Sequence, residues 1–254
     1  MVDHVQSLAR GLAVIRAFSA AEPELTLSQV ARATGLSRAA ARRFLLTLTD
    51  LGYVRSDGRL FALTPRVLEL GYAYLSSLSL PEVADPHLER LAAEVGESAS
   101  VAVLDGEDVV YVARVATARI MRVTISIGTR FPAYCTSMGR VLLAALPPEA
   151  LDTYLGRAEL RRLTSHTIVL PAALRTELDE VRGRGWAMVD QELEEGLRSL
   201  AVPVREGRGR VVAAVNVAQH AGRGTPEEMR RAMLPELCRA ARLIEADLAA
   251  LGPR

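Results

Sequence analysis

The segment 26–63 constrains the fold of this chain more than any other. Its first residues predict a short helix that ends at Gly35, because a glycine readily takes the positive φ that terminates a helix. Ser37 is a suitable N-cap for a second helix, in which Ala41 and Leu45 lie on one apolar face. A helix, a glycine-containing turn and a capped second helix form the pattern of a helix-turn-helix.

A β-hairpin is predicted directly after the second helix. Residues 53–56 and 59–63 have the composition of strands, and Asp57-Gly58 between them predicts a tight turn. Because an isolated two-stranded hairpin is barely stable in water, this one must pack on the preceding helices. A hairpin in this position is a wing, so residues 1–64 are predicted to form a winged helix-turn-helix domain that binds duplex DNA.

The distribution of charge agrees with local contact to phosphates. Every basic residue of the chain is an arginine, and residues 26–66 contain seven of the 31 arginines but only two acidic residues. This segment therefore has a net charge of +5, whereas the whole chain has +1 and the remainder −4. We interpret the chain as a compact basic module on a mildly acidic body.

Two arginine-bearing surfaces are the candidate DNA contacts. The N-terminal part of the second helix of a helix-turn-helix enters the major groove, where an arginine can bind guanine or a phosphate. The wing tip lies where a phosphate or the minor groove would be reached. The alternative is a three-helix core with a solvated arginine face. The predicted contacts are Ser37, Arg38, Arg42 and Arg43 on the helix, and Arg55 and Arg59 on the wing.

A linker helix and a second domain are predicted after the wing. Residues 65–80 have a helical pattern that is apolar on more than one side and ends before Pro81, so this helix is either buried between domains or paired with a second copy of itself. Residues 81–254 alternate between strand and helix patterns, which predicts an α+β sheet domain able to hold a small molecule. Its helices are predicted at 86–95, 138–146, 172–182 and from Thr225 onward, and its strands at 98–104, 108–115, 120–127, 186–190, 200–205 and 210–217.

The composition disfavours several classes of protein. No apolar run approaches the roughly 18 residues of a membrane span, and the N-terminus lacks the pattern of a signal peptide. Cys135 and Cys238 make no disulfide framework, so a cytoplasmic location is expected. The four histidines lack the paired spacing of a zinc site, and no phosphate-binding or dinucleotide-binding fingerprint is present. Neither a metal nor a cofactor is therefore expected.

An enzyme is the alternative class of function. Cys135, His166 and Asp190 are the residue types of a nucleophile, a base and an orienting group. Nothing in the sequence places the three together, and Cys135 lacks a diagnostic local motif. If the helical N-terminal domain only mediated protein contacts, the chain would be a small-molecule-binding enzyme or sensor.

Four separated motifs, in the same order, resemble those of the IclR family of transcriptional regulators. They are VQSLARGL at 5–12, SQVARATGLS at 28–37, FPAYCTSMGR at 131–140 and DQELEEGLRS at 190–199. The similarity covers nearly the whole chain. Within the family, the chain is most similar to the branch that regulates the protocatechuate and β-ketoadipate pathway.

This resemblance implies a winged helix, a linker helix and a GAF-like α/β effector domain, with homodimers that often form tetramers on an operator. It also implies control of an aromatic-acid catabolic operon by a small carboxylate such as protocatechuate or β-ketoadipate. Family members with Cys, Ser and Ser at Ser199, Asn216 and Ala218 bind small keto acids, so the departures here leave room for a different acid. Ser28 and Ala39 complete the predicted DNA contacts, and the family's effector positions fall on Ser137, Met138, Asp190, Leu197, Ser199, Asn216 and Ala218.

An anionic effector also needs a cation or converging N–H donors. Arg122, Arg130 and Arg198 lie in or near the effector motifs, and one of them is predicted to bind the carboxylate. Tyr134 could stack on an aromatic ring. The alternatives are that Tyr134 fills the core and that each arginine forms a surface ion pair with a local acid such as Glu192, Glu194 or Glu195.

Overall fold

The computed structural model of the chain describes residues 5–19, 21–70, 79–117, 125–207 and 209–251. The chain divides into two compact units, residues 1–77 and 78–254. Each unit has a hydrophobic core of its own. The predicted end of the winged helix domain after residue 64 and the predicted end of the linker helix after residue 80 stay predictions.

The first unit is a winged helix-turn-helix, which confirms the predicted fold. Its buried core is formed by residues from all three helices and from the first two strands, among them Val14, Leu25, Val30, Leu45 and Val54. The strands form one antiparallel sheet in the order β1-β3-β2. The elements are α1 Gln6–Arg16, β1 Glu24–Thr26, α2 Leu27–Thr34, α3 Arg38–Asp50, β2 Val54–Ser56 and β3 Leu60–Leu63, followed by a 3-10 turn at Pro65–Leu68.

Local capping fixes the ends of the two central helices. The Thr26 hydroxyl accepts a hydrogen bond from the Gln29 N–H, and the Gln29 side chain accepts one from the Thr26 N–H, which is a reciprocal capping box. Gly35 ends α2 with a φ of 66°. The Ser37 hydroxyl accepts from the Ala40 N–H and starts α3. The helix ends predicted from Gly35 and Ser37 are therefore confirmed.

Strand β1 and the exact wing turn differ from the prediction. Residues Glu24–Thr26 pair with β3 and add a third strand that the sequence analysis did not predict. Three residues are too short to show the alternation that identifies a strand. Strand β3 begins at Leu60, so Arg59 lies in the turn itself, where the Asp57 carboxylate accepts from the Arg59 and Leu60 N–H groups.

The second unit is built on a six-stranded antiparallel sheet in the order β6-β5-β4-β9-β8-β7. Helices α4 and α8 pack on one face of the sheet, and α5, α6 and α7 cover the other face. The elements are α4 Ser79–Val95, β4 Ser98–Asp105, β5 Asp108–Val115, β6 Arg130–Pro132, α5 Ser137–Ala144, α6 Pro148–Arg157, α7 Pro171–Arg184, β7 Ala187–Asp190, β8 Leu197–Arg205, β9 Val211–His220 and α8 Pro226–Ala250.

Two helix boundaries predicted near the start of the second unit were wrong. Helix α4 runs from Ser79 through Pro81 and Pro86, so it neither begins at Pro86 nor is interrupted at Pro81. Pro81 occupies the first turn, where no N–H is needed. Pro86 costs a hydrogen bond, but Ala84 and Leu88 on either side are fully buried against the sheet and keep the helix intact. Of the linker helix predicted at 65–80, residues 71–78 lie outside the described part of the chain.

The predicted strand 120–127 also needs correction. Residues 120–124 lie outside the described residues, and 125–127 belong to a loop. The strand at this place is the short β6, which pairs with β5 through Arg130, Phe131 and Pro132. Helix α6 was not predicted either.

Candidate functional site

A cavity of the second unit lies between one face of the sheet and the segment that leads into α5. It contains about 420 Å³ of empty space, part of it open to solvent. The lining residues are Tyr111, Arg114, Ile125, Cys135, Thr136, Ser137, Val189, Leu193, Leu197, Ser199, Asn216 and Ala218.

Strand alternation decides which residues of the sheet reach this cavity. Successive side chains of a strand point to opposite faces. Leu197 and Ser199 on β8 therefore line the cavity, and Asn216 and Ala218 on β9 do the same. Arg198 lies between the two lining residues of β8 and faces the other side of the sheet.

A β-bulge aims Arg114 into the cavity. The register between β4 and β5 shifts so that Val112 has no partner, between the paired residues Tyr111 and Ala113. An extra residue in one strand reverses the alternation of faces beyond it. Tyr111 and Arg114 consequently both line the cavity, although they are separated by an odd number of positions.

Three buried polar atoms on the cavity wall have no hydrogen-bond partner among the described residues: Arg114 Nε, Ser137 Oγ and Asn216 Oδ1. The Arg114 guanidinium uses Nη1 to donate to Ser100 Oγ at 3.1 Å. Its burial lowers the pKa of Arg114 below the usual value, because the charged form loses hydration. A buried polar atom without a partner costs about 1–3 kcal/mol, so these three atoms favour a polar ligand in the cavity.

The chemistry of the three atoms is complementary. A guanidinium only donates, an amide oxygen only accepts, and a hydroxyl does either. The remaining wall is largely apolar, with Tyr111, Val189 and Leu197 among its residues. The cavity therefore suits a small molecule that has an apolar body, an acceptor or anion opposite Arg114 and a hydrogen-bond donor opposite Asn216.

The structure brings five of the seven family-derived positions to this cavity: Ser137, Leu197, Ser199, Asn216 and Ala218. Met138 is fully buried in the core between α5 and the sheet and is not part of the lining. Arg114 is not among the predicted effector contacts, and regular alternation along β5 would place it on the opposite face from Tyr111. A charged residue within the apolar run 109–115 is the only signal in the sequence, and it does not indicate the face.

Asp190 and Arg198 are not brought to the cavity. They pair with each other across β7 and β8, with Arg198 Nε donating to Asp190 Oδ1 at 2.9 Å and Nη2 donating to Oδ2 at 3.1 Å. Arg198 also donates to the carbonyl of Gly224, which immediately precedes the N-cap of α8. Both side chains lie on the face of the sheet opposite the cavity, so Arg198 is not free to bind an effector carboxylate there.

Arg130 and Tyr134, two further predicted effector contacts, do not line the cavity either. Arg130 donates to Asp105 at 2.6 Å and to Asp108 at 3.1 Å, which is the ion-pair alternative. Tyr134 is buried in the core, and its hydroxyl donates to the Arg161 carbonyl at 2.8 Å. The position of Arg122 lies outside the described residues.

In the first unit, the predicted DNA contacts form an exposed surface on α3 and the wing. Arg38, Arg42 and Arg43 are exposed and make no ion pair with another described residue. Arg59 is exposed in the wing turn, but Arg55 donates to Glu24 at 3.0 Å. The remaining predicted contacts are Ser28 and Ala39, which are exposed, and Ser37, which is exposed and caps α3.

Two of the three residues that suggested an enzyme, Cys135 and Asp190, do not lie on the same side of the sheet. Asp190 faces away from the cavity that Cys135 lines. Burial raises the pKa of Cys135 to about 12, and the nearby Glu192 carboxylate contributes to the increase, so the thiol is protonated and a poor nucleophile at neutral pH.

Within the described ranges, no group of His, Cys, Asp and Glu is arranged to hold a metal ion. No helix in those ranges is long and apolar enough to cross a membrane.

Two protein-family models match the chain. One describes the IclR helix-turn-helix domain and matches residues 7–58. The other describes the C-terminal domain of the bacterial transcriptional regulator IclR and matches residues 72–246. The chain belongs to the IclR family. Its members are DNA-binding regulators of transcription rather than enzymes, which agrees with the winged helix and the cavity of this IclR-family protein.

Relatives of known name or structure agree with this assignment. The Pca regulon regulatory protein of Pseudomonas putida is 50% identical over 241 residues, which cover 94% of this chain and 83% of the relative. The crystal structure of a transcriptional regulator from Rhodococcus sp. RHA1 is 57% identical, with a TM-score of 0.86 and coverage of 98% of this chain and 100% of the other. An IclR homologue from Microbacterium hydrocarbonoxydans, solved in complex with 4-hydroxybenzoate, is 28% identical, with a TM-score of 0.85 and coverage of 96% and 100%.

Proposed function

We propose that this IclR-family protein regulates an aromatic-acid catabolic operon and that its effector is a hydroxylated aromatic carboxylate bound in the cavity. One observation carries the proposal: three residues that line one cavity, Arg114, Ser137 and Asn216, each have a buried polar atom without a partner among the described residues. The 4-hydroxybenzoate bound to the Microbacterium homologue supports this class of effector, and the name of the Pseudomonas putida relative, Pca regulon regulatory protein, supports the regulatory role.

Each part of such an effector has a partner of matching chemistry. The carboxylate accepts from Arg114, in a charge-assisted hydrogen bond of the stronger kind. The ring contacts the apolar wall around Tyr111 and Leu197. The phenolic hydroxyl donates to Asn216 Oδ1 and accepts from the Ser137 hydroxyl.

This arrangement predicts that hydroxybenzoates bind more tightly than β-ketoadipate. The ionised β-ketoadipate has carboxylates and a ketone, which are acceptors only, so it leaves the Asn216 oxygen unpaired. The cost of that unpaired oxygen is about 1–3 kcal/mol, or about tenfold in Kd. Isothermal calorimetry with protocatechuate, 4-hydroxybenzoate and β-ketoadipate measures the difference.

Asn216→Leu is the matched variant for this comparison. It replaces the amide by an apolar group of similar size, and we expect it to reduce the preference for hydroxybenzoates over β-ketoadipate. If the wild-type protein binds β-ketoadipate as tightly as 4-hydroxybenzoate, the role given to Asn216 is wrong.

The winged helix is proposed to contact an operator through α3 and the wing turn. Arg38, Arg42 and Arg43 are exposed and without ion-pair partners among the described residues, which leaves them available to bases and phosphates. A cytoplasmic homodimer, with tetramers on DNA, would place two such units on two half-sites. Domains at 1–64 and 81–254, joined by residues 65–80, remain part of this proposal.

Arg42→Ala is expected to weaken operator binding by about tenfold, since loss of a base-contacting arginine costs about 1–3 kcal/mol. Fluorescence anisotropy with labelled promoter DNA, repeated over a range of salt concentrations, measures the effect. If Arg42 instead contacts a phosphate, Arg42→Ala is expected to weaken binding to all DNA sequences alike. It would also reduce the slope of log affinity against log salt concentration by about one. The control is Arg175→Ala, which removes an exposed arginine of the second unit. Unchanged affinity and salt dependence in Arg42→Ala would show that Arg42 does not contact DNA.

Effector binding is proposed to alter the spacing of two winged helices through residues 65–80. Half-site spacing on DNA is fixed by the helical repeat, so a small rotation changes the fit. A coupling free energy of about 1–3 kcal/mol is sufficient for a regulatory switch. Equal DNA affinity, bending and transcription with and without saturating effector would contradict this coupling.

A further inference from the structure

A buried ion pair connects two segments of the cavity wall. Arg140 lies on α5, and Glu192 lies in the loop between β7 and β8. Arg140 Nη2 donates to Glu192 Oε2 at 2.6 Å, and the two side chains are only 2% and 8% exposed. Neither residue lines the cavity itself.

Arg140 is bonded to the backbone next to a lining residue, and Glu192 is itself the neighbour of one in the chain. Arg140 Nε donates to the Tyr134 carbonyl at 3.1 Å, immediately before Cys135 in the chain. On the other side, the Glu192 carboxylate accepts from the Ile168 N–H at 3.1 Å, and Glu192 immediately precedes Leu193, which lines the cavity. The ion pair therefore links the wall that contains Thr136 and Ser137 to the wall that contains Leu193.

The loop around Glu192 has little conformational freedom. Gln191 has a φ of 62°, a left-handed conformation that is uncommon for a residue other than glycine. Its side chain accepts from the Gly196 N–H at 3.1 Å. The Thr164 hydroxyl donates to the Gln191 carbonyl and the Thr167 hydroxyl donates to the Glu192 carbonyl, both at 2.7 Å. A backbone in a sparsely populated conformation persists only when its surroundings hold it there.

Stability alone does not account for a buried ion pair. Desolvation of both charges offsets most of their attraction, and apolar residues of similar size often stabilise a core equally well. What the pair supplies here is a fixed geometry between α5 and the loop that contains Glu192. Such a constraint matters most beside a cavity whose polar atoms must meet a ligand at defined positions.

We infer that Arg140 and Glu192 are positioning residues of the effector cavity, which set the distance between its Thr136–Ser137 wall and its Leu193 wall. The inference rests on the proposed function, in which the effector binds in this cavity. The two residues act through the backbone segments that they hold and make no contact with the effector.

Glu192→Gln tests the inference, and Glu97→Gln is its matched control. Glu97 is also a buried carboxylate, 3% exposed, and is paired with Arg223, but unlike Glu192 it has no chain neighbour that lines the cavity. Both changes remove a buried negative charge and keep the size of the side chain. We expect both variants to unfold at lower urea concentration, while only Glu192→Gln raises the Kd for 4-hydroxybenzoate, by about tenfold.

Hydrogen exchange of the backbone amides, measured by mass spectrometry without effector, gives a readout that needs no ligand. Glu192→Gln is expected to speed exchange in peptides covering 133–140 and 164–168, and Glu97→Gln to leave them unchanged. If the wild-type protein binds no hydroxybenzoate, the proposed function fails, yet selective exchange in Glu192→Gln would still support the positioning role. Equal exchange in both variants, or equal loss of binding in both, would overturn it.

Discussion

Replacement of Arg114 by methionine is expected to raise the Kd for 4-hydroxybenzoate and protocatechuate by about a hundredfold. Arg114 is half-buried, and its Nε has no partner among the described residues on the cavity wall. Removal of one partner of a buried, charged hydrogen bond costs about 2–5 kcal/mol, and each 1.4 kcal/mol is about tenfold in Kd. Methionine keeps an unbranched apolar side chain against the wall, so the loss reports on the guanidinium. Isothermal calorimetry measures it.

Arg130→Met and a neutral ligand are the controls for this experiment. Arg130 is the carboxylate partner that sequence analysis offered, but it is paired with Asp105 and Asp108. Its replacement is expected to leave effector affinity nearly unchanged, because exposed ion pairs contribute little. 4-Hydroxybenzyl alcohol, which has no carboxylate, should bind the wild-type protein and Arg114→Met with similar affinity. A larger loss in Arg130→Met than in Arg114→Met would reverse the assignment.

The difference between Arg114 and the predicted arginines shows where sequence reasoning about this site ends. The bulge at Val112 exchanges the two faces of β5, and no residue type in the strand marks that position. A one-residue shift in register moves every later side chain to the other face. The orientation of Arg114 could therefore be obtained only from the pairing of β5 with β4.

The second effector motif illustrates the opposite case. Asp190 and Arg198 lie on regular strands, beside residues that face the cavity. Regular alternation was sufficient here to separate Leu197 and Ser199 from Arg198 once the strand began at Leu197. The strand predicted at 200–205 excludes Leu197 and Ser199, so it does not separate their face from that of Arg198.

Features that depend on local interactions were predicted best. The ends of α2 and α3 follow from Gly35 and Ser37, whose conformations and hydrogen bonds involve residues within a few positions. Helix α4 illustrates the limit of local rules, because burial of Leu88 and Leu91 against the sheet outweighs the cost of Pro86 inside the helix. Contacts between distant segments, such as Arg140 with Glu192, have no local pattern at all.

Gly139→Ala is expected to destabilise the second unit by about 3 kcal/mol and to abolish effector binding. A Cβ at position 139 would lie 2.1 Å from the Ala133 carbonyl oxygen and 2.4 Å from the Ala133 Cα. Both are backbone atoms of the turn that carries Cys135, so relief requires α5 and this part of the cavity wall to move apart. Added atoms in a packed core typically cost about 1–3 kcal/mol, and a clash with backbone belongs at the upper end.

Urea unfolding followed by the fluorescence of Trp186, the single tryptophan of the chain, reports on this unit. Gly183→Ala is the matched control, because Gly183 lies in α7 and an added Cβ there would meet nothing within 4 Å. Alanine in a helix is favoured over glycine by about 0.5–1 kcal/mol, so the control is expected to raise the unfolding midpoint slightly. A lower unfolding midpoint in Gly139→Ala and a higher one in Gly183→Ala would show that the loss at position 139 comes from contact with Ala133 and not from helix propensity. An unchanged midpoint in Gly139→Ala would mean that α5 and the Ala133–Cys135 turn are not in backbone contact.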